Sequence, residues 1–280
     1  IAGYDVVITN DTAYDWTVTN NHTPEMIELN VTKVWVDNND QDGLRPANVT
    51  IELFADGVKI NETTLSAANN WKFTFPNLPV NKDGKLINYT IAELVIAGYD
   101  VVITNDTAYD WTVTNNHTPE VTELNVTKVW DDNDNQDGLR PTYVTVSLHA
   151  NDVLINTTNV TAANGWKLTF SNLPVYENGK LIEYSILEVW TVEGYDTVIT
   201  NGTAYDWTVT NNHTPEVTEL NVTKVWDDNN DQDGVRPANV TIELFADGVK
   251  INETTLSAAN DWKFTFPNLA VYKEGKLINY

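Results

Sequence analysis

Cysteine is absent from the 280 residues, so no disulfide can hold any part of the chain together. Basic residues are scarce: 16 Lys and Arg stand against 40 Asp and Glu, for a formal net charge of −24. This excludes nucleic-acid binding as a main role, because phosphate contacts need clustered cations. No apolar run approaches the roughly 18 residues of a membrane span, and no signal peptide opens the chain. We therefore expect no nucleic-acid partner and no membrane insertion in this segment.

The sequence also lacks the residue patterns of a turnover enzyme. No Ser-His-Asp arrangement and no pair of carboxylates at catalytic spacing stands out, apart from the glutamates discussed below. One histidine recurs per repeat without an apparent partner, which does not predict a metal site. The histidines concerned are His22, His117 and His213, with His149 solitary.

Internal repetition dominates what is present. "IAGYDVVITNDTAYDWTVTNNHTPE" fills residues 1–25 and recurs unchanged at 96–120, and a close variant fills 192–216. The period of about 95 residues is the size of one β-sandwich and far exceeds solenoid units. We therefore predict four segments: 1–26 as the closing strands of one repeat, 27–118 and 119–214 as complete repeats, and 215–280 as a repeat without closing strands.

The ends of the chain fall inside repeats, so we expect it to be part of a longer array. The alternative is that residues 1–26 of one molecule complete the open repeat at 215–280 of another by strand donation.

Seven strands are predicted in each repeat, because Thr, Val, Ile, Trp and Tyr alternate between turn signals. In the first complete repeat these are 29–36, 48–55, 58–64, 70–76, 85–95, 99–104 and 109–116, and residues 66–69 form one helical turn. No segment combines helical period with helical length. The predicted class is all-β, as tandem immunoglobulin-like sandwiches.

One charged residue lies on the predicted core face of the first strand. In "NVTKVW", Val31, Lys33 and Trp35 share a face, because side chains alternate in a strand. The same parity places Glu93 and Asn115 on apolar, aromatic-rich faces. The second repeat supplies an equivalent set: Lys128, Glu188 and Asn211.

Two interpretations of this set remain open on parity alone. A buried Lys–Glu ion pair, with Asn filling the remaining hydrogen bonds, is one. The other is covalent: burial lowers a lysine pKa and raises a glutamate pKa, so a neutral amine can attack the Asn side-chain carbon while the Glu shuttles protons. The reaction occurs once, without turnover.

A resemblance bears on this choice. "VTKVWDDNDNQDGLRP", "NGWKLTFSNLPVYENGKLIEYSILE", "GYDTVITN" and "WTVTNNHTP" together resemble the Cna B-type domain of cell-surface adhesins and pilins, over nearly the whole chain. The resemblance implies a prealbumin-like or inverse-immunoglobulin sandwich and a self-forming Lys–Asn isopeptide bond with a catalytic acidic residue. It assigns cross-links to Lys33 with Asn115 and Lys128 with Asn211, with Glu93 and Glu188 as proton shuttles. Asn20 and Lys224 lack partners, so we expect both to stay unreacted.

Asn-x-Ser/Thr sequons are more frequent than chance, at sixteen where about five are expected from composition. They suggest N-glycosylation of an exported chain, although repeated β-rich polar surfaces also favour Asn and Thr. The sites are Asn10, Asn21, Asn30, Asn48, Asn61, Asn88, Asn105, Asn116, Asn125, Asn156, Asn159, Asn201, Asn212, Asn221, Asn239 and Asn252.

Three acidic loops, at 37–43, 131–138 and 227–234, invite a Ca²⁺ interpretation. The first copies half of an EF-hand loop, but Val49 occupies the position of its closing glutamate. An acidic turn, pinned by the arginine that follows each loop, is the preferred interpretation, and no cofactor is expected. The arginines are Arg45, Arg140 and Arg236. Tyr14 and Trp16 have core parity, which disfavours a sugar-stacking platform.

These features predict a stalk or fibre segment of an extracellular, cell-surface, adhesin-like protein, whose partners are neighbouring repeats. One alternative is a filament or pilus subunit assembled by strand exchange with other copies. Another is an adhesive module that binds a host or glycan ligand, which predicts exposed aromatic patches. Sequon density and acidity suggest an archaeal source.

Overall fold

The computed structural model describes all 280 residues, and strands form nearly all of its regular structure. It divides into two compact units, one of residues 1–121 with 174–181 and one of 122–173 with 182–280. The only helices are single 3-10 turns at Ala67–Asn69, Ala162–Asn164 and Ala258–Asn260. None of them has the length and apolarity of a membrane-spanning helix.

The N-terminal segment is an isolated hairpin of β1 (Asp5–Thr12) and β2 (Asp15–Asn21). All residues of both strands are exposed, because no second sheet covers them. Tyr14 and Trp16 are 94% and 63% exposed, so their predicted core position is wrong in this hairpin. The equivalent Trp111 is partly buried against the core of the first repeat. Alternation along a strand therefore leads to burial only where a second sheet covers that face.

The first complete repeat is a sandwich of two sheets. Its strands are β3 (Met26–Val36), β4 (Asn48–Ala55), β5 (Val58–Ser66), β6 (Lys72–Pro79), β7 (Asn81–Lys82), β8 (Lys85–Leu86), β9 (Tyr89–Glu93), β10 (Asp100–Thr107) and β11 (Asp110–Asn116). One sheet has the order β10-β11-β3-β6 and the other β5-β4-β9, while β7 and β8 form a small hairpin. β3 and β11, the first and last long strands, pair in parallel.

The second complete repeat has the same topology. Its strands are β12 (Val121–Asp131), β13 (Tyr143–Ala150), β14 (Val153–Thr161), β15 (Lys167–Pro174), β16 (Tyr176–Glu177), β17 (Lys180–Leu181), β18 (Tyr184–Glu188), β19 (Asp196–Thr203) and β20 (Asp206–Asn212). The sheets are β15-β12-β20-β19 and β14-β13-β18, with β16 and β17 as the small hairpin.

The last segment keeps only two-stranded sheets. Its strands are β21 (Val217–Thr223), β22 (Asn239–Ala246), β23 (Val249–Ser257), β24 (Lys263–Ala270), β25 (Tyr272–Lys273) and β26 (Lys276–Leu277). Its buried hydrophobic residues are reduced to Leu244, Leu256, Phe266 and Leu269. The neighbours that β10 and β11 supply in the first repeat have no counterpart beside β21.

Alternating burial along the strands builds the cores of the complete repeats. In β3, Leu29, Val31 and Lys33 are buried while Asn30 is exposed, as parity requires. Each fully buried aliphatic or Phe side chain contributes roughly 1.5–3 kcal/mol. The core of the first repeat includes Leu29, Val31, Ile51, Leu53, Leu65, Phe75 and Val113. The core of the second repeat includes Leu124, Val126, Val146, Leu148, Val160, Ile186 and Val209.

The predicted all-β, tandem immunoglobulin-like class is confirmed, and strand 48–55 has the predicted bounds. The predicted strand 85–95 is wrong: β8 and β9 are separate, with Ile87 and Asn88 between them. The predicted strand 70–76 begins instead at Lys72, because Asn70 and Trp71 adopt left-handed φ values of 53° and 59° after the helical turn. The segment bounds inferred from the repeats stay a prediction.

Candidate functional site

Lys33 lies in the interior of the first sandwich, as its parity predicts. It is 4% exposed, and its Nζ lies 4.1 Å from the centroid of the Trp35 ring. The ammonium donates to the backbone carbonyls of Val34 and Val113, at 3.1 and 3.4 Å. These neutral acceptors replace only part of the solvation that a buried ammonium loses.

Glu93 approaches Lys33 from the opposite sheet. The distance from Lys33 Nζ to Glu93 Oε1 is 3.7 Å, and neither side chain is exposed. Burial lowers the pKa of Lys33 to about 8, against the opposing charge of Glu93. Burial also raises the pKa of Glu93, against the opposing effect of Lys33. Both shifts favour the neutral pair, amine and carboxylic acid.

Asn115 completes the set from β11. Parallel pairing sets Lys33 opposite Val113 and Trp35 opposite Asn115, so Lys33 and Asn115 are diagonal neighbours on one face. Asn115 is fully buried. Neither polar atom of its side chain, nor either carboxyl oxygen of Glu93, has a hydrogen-bond partner. Buried polar atoms of a native protein are normally hydrogen-bonded, so Asn115 and Glu93 depart from the usual state of buried polar side chains.

The second repeat places Lys128, Glu188 and Asn211 at the equivalent positions, but its lysine and glutamate form no ion pair within 4.0 Å. Lys128 is 3% exposed, Asn211 is fully buried, and burial lowers the pKa of Lys128 to about 8. Asn211 Nδ2 donates to Glu188 Oε1 at 3.0 Å, and the hydroxyl of Thr197 donates to Asn211 Oδ1 at 3.2 Å. Val101 holds the position of Thr197 in the first repeat, opposite Asn115, so that donor is missing there.

The two incomplete sets have a different environment. Asn20 is exposed in the isolated hairpin. Lys224 follows the end of β21 and lies half-buried, 4.2 Å from the Trp226 ring, and its ammonium donates to the carbonyl of Val225. No carboxylate forms an ion pair with it within 4.0 Å. Neither residue therefore has the three-part environment of the complete sets.

The acidic loops hold their carboxylates with protein donors. Arg45 donates through Nε and Nη2 to Asp37, and the hydroxyl of Tyr99 donates to the same carboxylate at 2.8 Å. Asp40 accepts the backbone N–H of Arg45 at 2.9 Å. The predicted pinning of the turn by Arg45 is confirmed, and Arg140 and Arg236 bind Asp132 and Asp228 alike. No group of three His, Cys, Asp or Glu side chains converges as a metal site.

The expectation that the recurrent histidines lack partners is wrong for two of them. His117 Nε2 lies 2.9 Å from Asp42 Oδ2, and His213 Nε2 lies 2.9 Å from Asp137 Oδ2. Only His22, in the isolated hairpin, has no carboxylate partner and contacts the carbonyl of Gly3. The pairs join residues 75 and 76 apart, so no local sequence pattern could have identified them.

An open aromatic groove in the second repeat was not anticipated from the sequence. Tyr143 and Trp190, 52% and 74% exposed, line a cavity of about 680 Å³ together with Leu139, Val192 and Glu193. The first repeat has Asn48 and Val95 at the positions of the two aromatic residues. The replacement of these two residues by aromatic ones in the second repeat was the signal that could have revealed it.

None of the sixteen sequon asparagines is buried. Thirteen are exposed, and the partly buried ones are Asn116, Asn125 and Asn212. Accessibility is required for glycan attachment but is also the common state of polar residues on a sheet surface. N-glycosylation therefore stays a prediction.

Known proteins similar to this chain share its repeat. The family described as "Cna protein B-type domain" matches residues 29–116, 124–212 and 220–280. A collagen adhesin of Staphylococcus aureus is 42% identical over 267 residues, which are 94% of this chain and 22% of that protein. The chain thus spans about a fifth of the length of this curated relative.

Solved structures of B repeat units are also similar to this chain. The crystal structure of two B repeat units (B1B2) of the collagen binding protein of Staphylococcus aureus is 39% identical, with a TM-score of 0.61, covering 100% of this chain and 73% of that one. A single B repeat unit of that protein is 35% identical, with a TM-score of 0.34, covering 68% of this chain and 100% of that one. These relatives are bacterial and do not support the expected archaeal source.

Proposed function

Because the chain belongs to the family of Cna protein B-type domains, we propose that it is a stalk or spacer segment of a cell-surface adhesin, closed by Lys–Asn isopeptide bonds. The observation that carries the proposal is the burial of a lysine, a glutamate and an asparagine together in each complete repeat. Extracellular location and adjacent repeats as partners follow from the same family. The chain performs no catalytic turnover.

The bond would form by attack of the neutral lysine amine on the asparagine side-chain carbon. The nitrogen lone pair of Lys33 forms the new bond to Cγ of Asn115, and the Cγ–Nδ2 bond breaks. Glu93, protonated at the start, gives its proton to Nδ2 and takes one back from the attacking amine, so the leaving group is ammonia and the carboxylic acid is restored. Proximity and exclusion of water would supply the rate, because the groups meet already desolvated.

Intact mass tests this proposal. The chain, produced in a host without N-glycosylation, is expected to lose two ammonia molecules, each roughly 17 Da. Lys33→Met should remove one of the two losses, and Lys224→Met, the control without buried partners, should remove none. A measured mass equal to the mass calculated from the sequence would mean that no bond forms and that the buried groups remain unlinked. This result would overturn the covalent proposal. Covalent dimers or larger species, with one further ammonia lost for each joined pair, would indicate that Asn20 and Lys224 of different chains also meet by strand donation.

The aromatic groove of the second repeat favours a second candidate function, in which this repeat also binds a ligand. Exposed Trp190 and Tyr143 offer faces for stacking, and Glu193 offers a hydrogen-bond acceptor. Since a relative is a collagen adhesin, collagen and a panel of oligosaccharides are the probes, with tryptophan fluorescence as the readout. Binding by the parent and by Trp16→Ala, but not by Trp190→Ala, would support the module. Absence of binding by the parent would reject it for these ligands.

A further inference from the structure

Each complete repeat's acidic loop contacts the tip of the small hairpin that belongs to the following repeat. The tip comprises residues 177–180, which are the end of β16, the two turn residues and the start of β17, and its counterparts are 82–85 and 273–276. The N–H of Gly179 donates to the carbonyl of Gln41 at 3.0 Å. The N–H of Gly275 donates to the carbonyl of Gln136 at the same distance. The contact therefore occurs twice with the same geometry, once within each compact unit.

Glycine is required on both sides of this contact. A Cβ built on Gly43 would lie 2.4 Å from the Cα of Gly179, and one built on Gly138 would lie 2.4 Å from the Cα of Gly275. The obstructing atoms are backbone, so no side chain can move aside. All four glycines also have φ between +70° and +73°, which side-chain-bearing residues rarely adopt.

The same loop also holds the connection between repeats. Asp42 Oδ2 accepts the backbone N–H of Glu120 at 2.8 Å and contacts His117 Nε2 at 2.9 Å. The Asp42 side chain is only 6% exposed. Asp137 repeats both contacts with Glu216 and His213. One loop thus binds the connecting segment through its carboxylate and the hairpin tip through its backbone.

Two copies of these elements have no partner and serve as built-in references. Gly84, at the tip of the first hairpin, and Gly234, in the last acidic loop, have no atom within 4 Å of a built Cβ. Their φ values of +76° and +64° match those of the contacting glycines. Substitution at these positions causes the same backbone strain without touching a neighbour.

We infer that the acidic loop and the hairpin tip are complementary halves of a docking joint, and that the partner of each loop is the hairpin tip of the next repeat in the same chain. The pairing has a direction, since the loop of the earlier repeat always receives the tip of the later one. The contact is small, but the short connection between repeats keeps the two halves at high effective concentration. The acidic loop acts here as a docking surface.

Amide hydrogen exchange tests the joint. In the whole chain, the N–H of Gly179 should exchange slowly, whereas that of Gly84, in the equivalent hairpin without a partner, should exchange at least about tenfold faster. Gly43→Ala should raise the Gly179 rate to the Gly84 level. Gly234→Ala, the matched control, should leave the Gly179 rate unchanged. Equal exchange at Gly179 in the parent and in Gly43→Ala would overturn the inference.

A distance measurement gives a second readout. The chain has no native cysteine, so spin labels can be placed at Val58→Cys in the first repeat and Leu181→Cys in the small hairpin of the second repeat. These positions are 66% and 59% exposed, and the labels report the distance between the first repeat and that hairpin. The distance distribution should be narrow in the parent and broad in Gly43→Ala. If Gly43→Ala loses its β-sheet circular dichroism, Gly179→Ala replaces it, with Gly84→Ala as its control. Identical distributions in Gly179→Ala and Gly84→Ala would contradict a docking joint, whether or not any isopeptide bond forms.

Discussion

One difference between the surroundings of the two buried asparagines is a hydroxyl donor at the amide oxygen. Asn211 accepts a hydrogen bond at Oδ1 from Thr197, whereas Asn115 faces Val101 in the same register. Attack by lysine puts negative charge on this oxygen, so a donor already in place stabilises the transition state more than the amide. The two repeats thus form a natural comparison with and without an oxyanion donor.

We therefore expect the second repeat to form its bond faster than the first. Thr197→Val should slow the second repeat by about ten- to a hundredfold, and Val101→Thr should accelerate the first, because each alters one donor at the oxyanion. The measurement is a time course of ammonia loss after refolding, with peptide mapping to separate the two bonds. No change in either variant would mean that the hydroxyl is only a structural partner of the amide.

Glu93 is expected to be indispensable to the first bond. Glu93→Gln keeps the size of the side chain but cannot exchange a proton. The first repeat of this variant should therefore lose no ammonia, because Lys33 and Asn115 stay unlinked. The second repeat, with Glu188 intact, should still lose ammonia and thereby confirm that the chain folds. Bond formation in the first repeat of this variant would show that the carboxyl is not the proton carrier.

At the scale of elements, the acidic loop combines several fixed contacts in few residues. Arg45 and Tyr99 bind one carboxylate, and Asp42 binds the connection to the next repeat. The hydrogen bond from His117 to Asp42 raises the pKa of the imidazole, against the opposing effect of burial. A titrating group thereby takes part in holding the connecting segment.

This contact predicts a pH dependence of stability. Because the folded-state pKa of His117 is raised, its contribution is fully present below the unfolded pKa of about 6.5 and is lost as pH rises through the folded pKa. We expect the N–H of Glu120 to exchange with less protection at pH 8.5 than at pH 6, after correction for intrinsic rates. His117→Gln should abolish this difference, whereas His22→Gln should preserve it. A pH-independent protection factor in the parent would refute the role of the imidazole.

At the scale of the whole molecule, a bond between Lys33 and Asn115 closes a loop of 82 residues, from 115 − 33. The loop-entropy relation, borrowed from disulfides, gives about 4.5 kcal/mol of stabilisation for a loop of this length. Lys33→Met, which keeps the core apolar, should therefore lower the free energy of unfolding of the first repeat by about this amount.

Chemical denaturation followed by tryptophan fluorescence measures this effect. Lys33→Met should show an earlier transition for one repeat, while Lys224→Met should coincide with the parent because Lys224 has no buried partner. Superimposable curves for Lys33→Met and the parent would show that the first repeat gains nothing from a cross-link.

Strand parity and repetition were sufficient to predict the class, most strands and the interior position of Lys33, Glu93 and Asn115, because these depend on local alternation. Other contacts depend on tertiary geometry. The pairing of His117 with Asp42 and the approach of Gly179 to Gly43 join residues far apart in the chain, and no local pattern encodes them. The exposure of Trp16 differs from that of Trp111 at identical sequence, because burial depends on whether a second sheet is present.

The parallel pairing of β3 with β11 has a mechanical consequence of its own. Seven residue pairs, from Asn30 with Asp110 to Val36 with Asn116, connect the entering strand to the leaving strand. Since the chain enters at the start of β3 and leaves at the end of β11, pulling on the repeat slides one strand along the other. The interstrand hydrogen bonds are then loaded in shear and must yield together, whereas an antiparallel pair pulled from one end would unzip bond by bond.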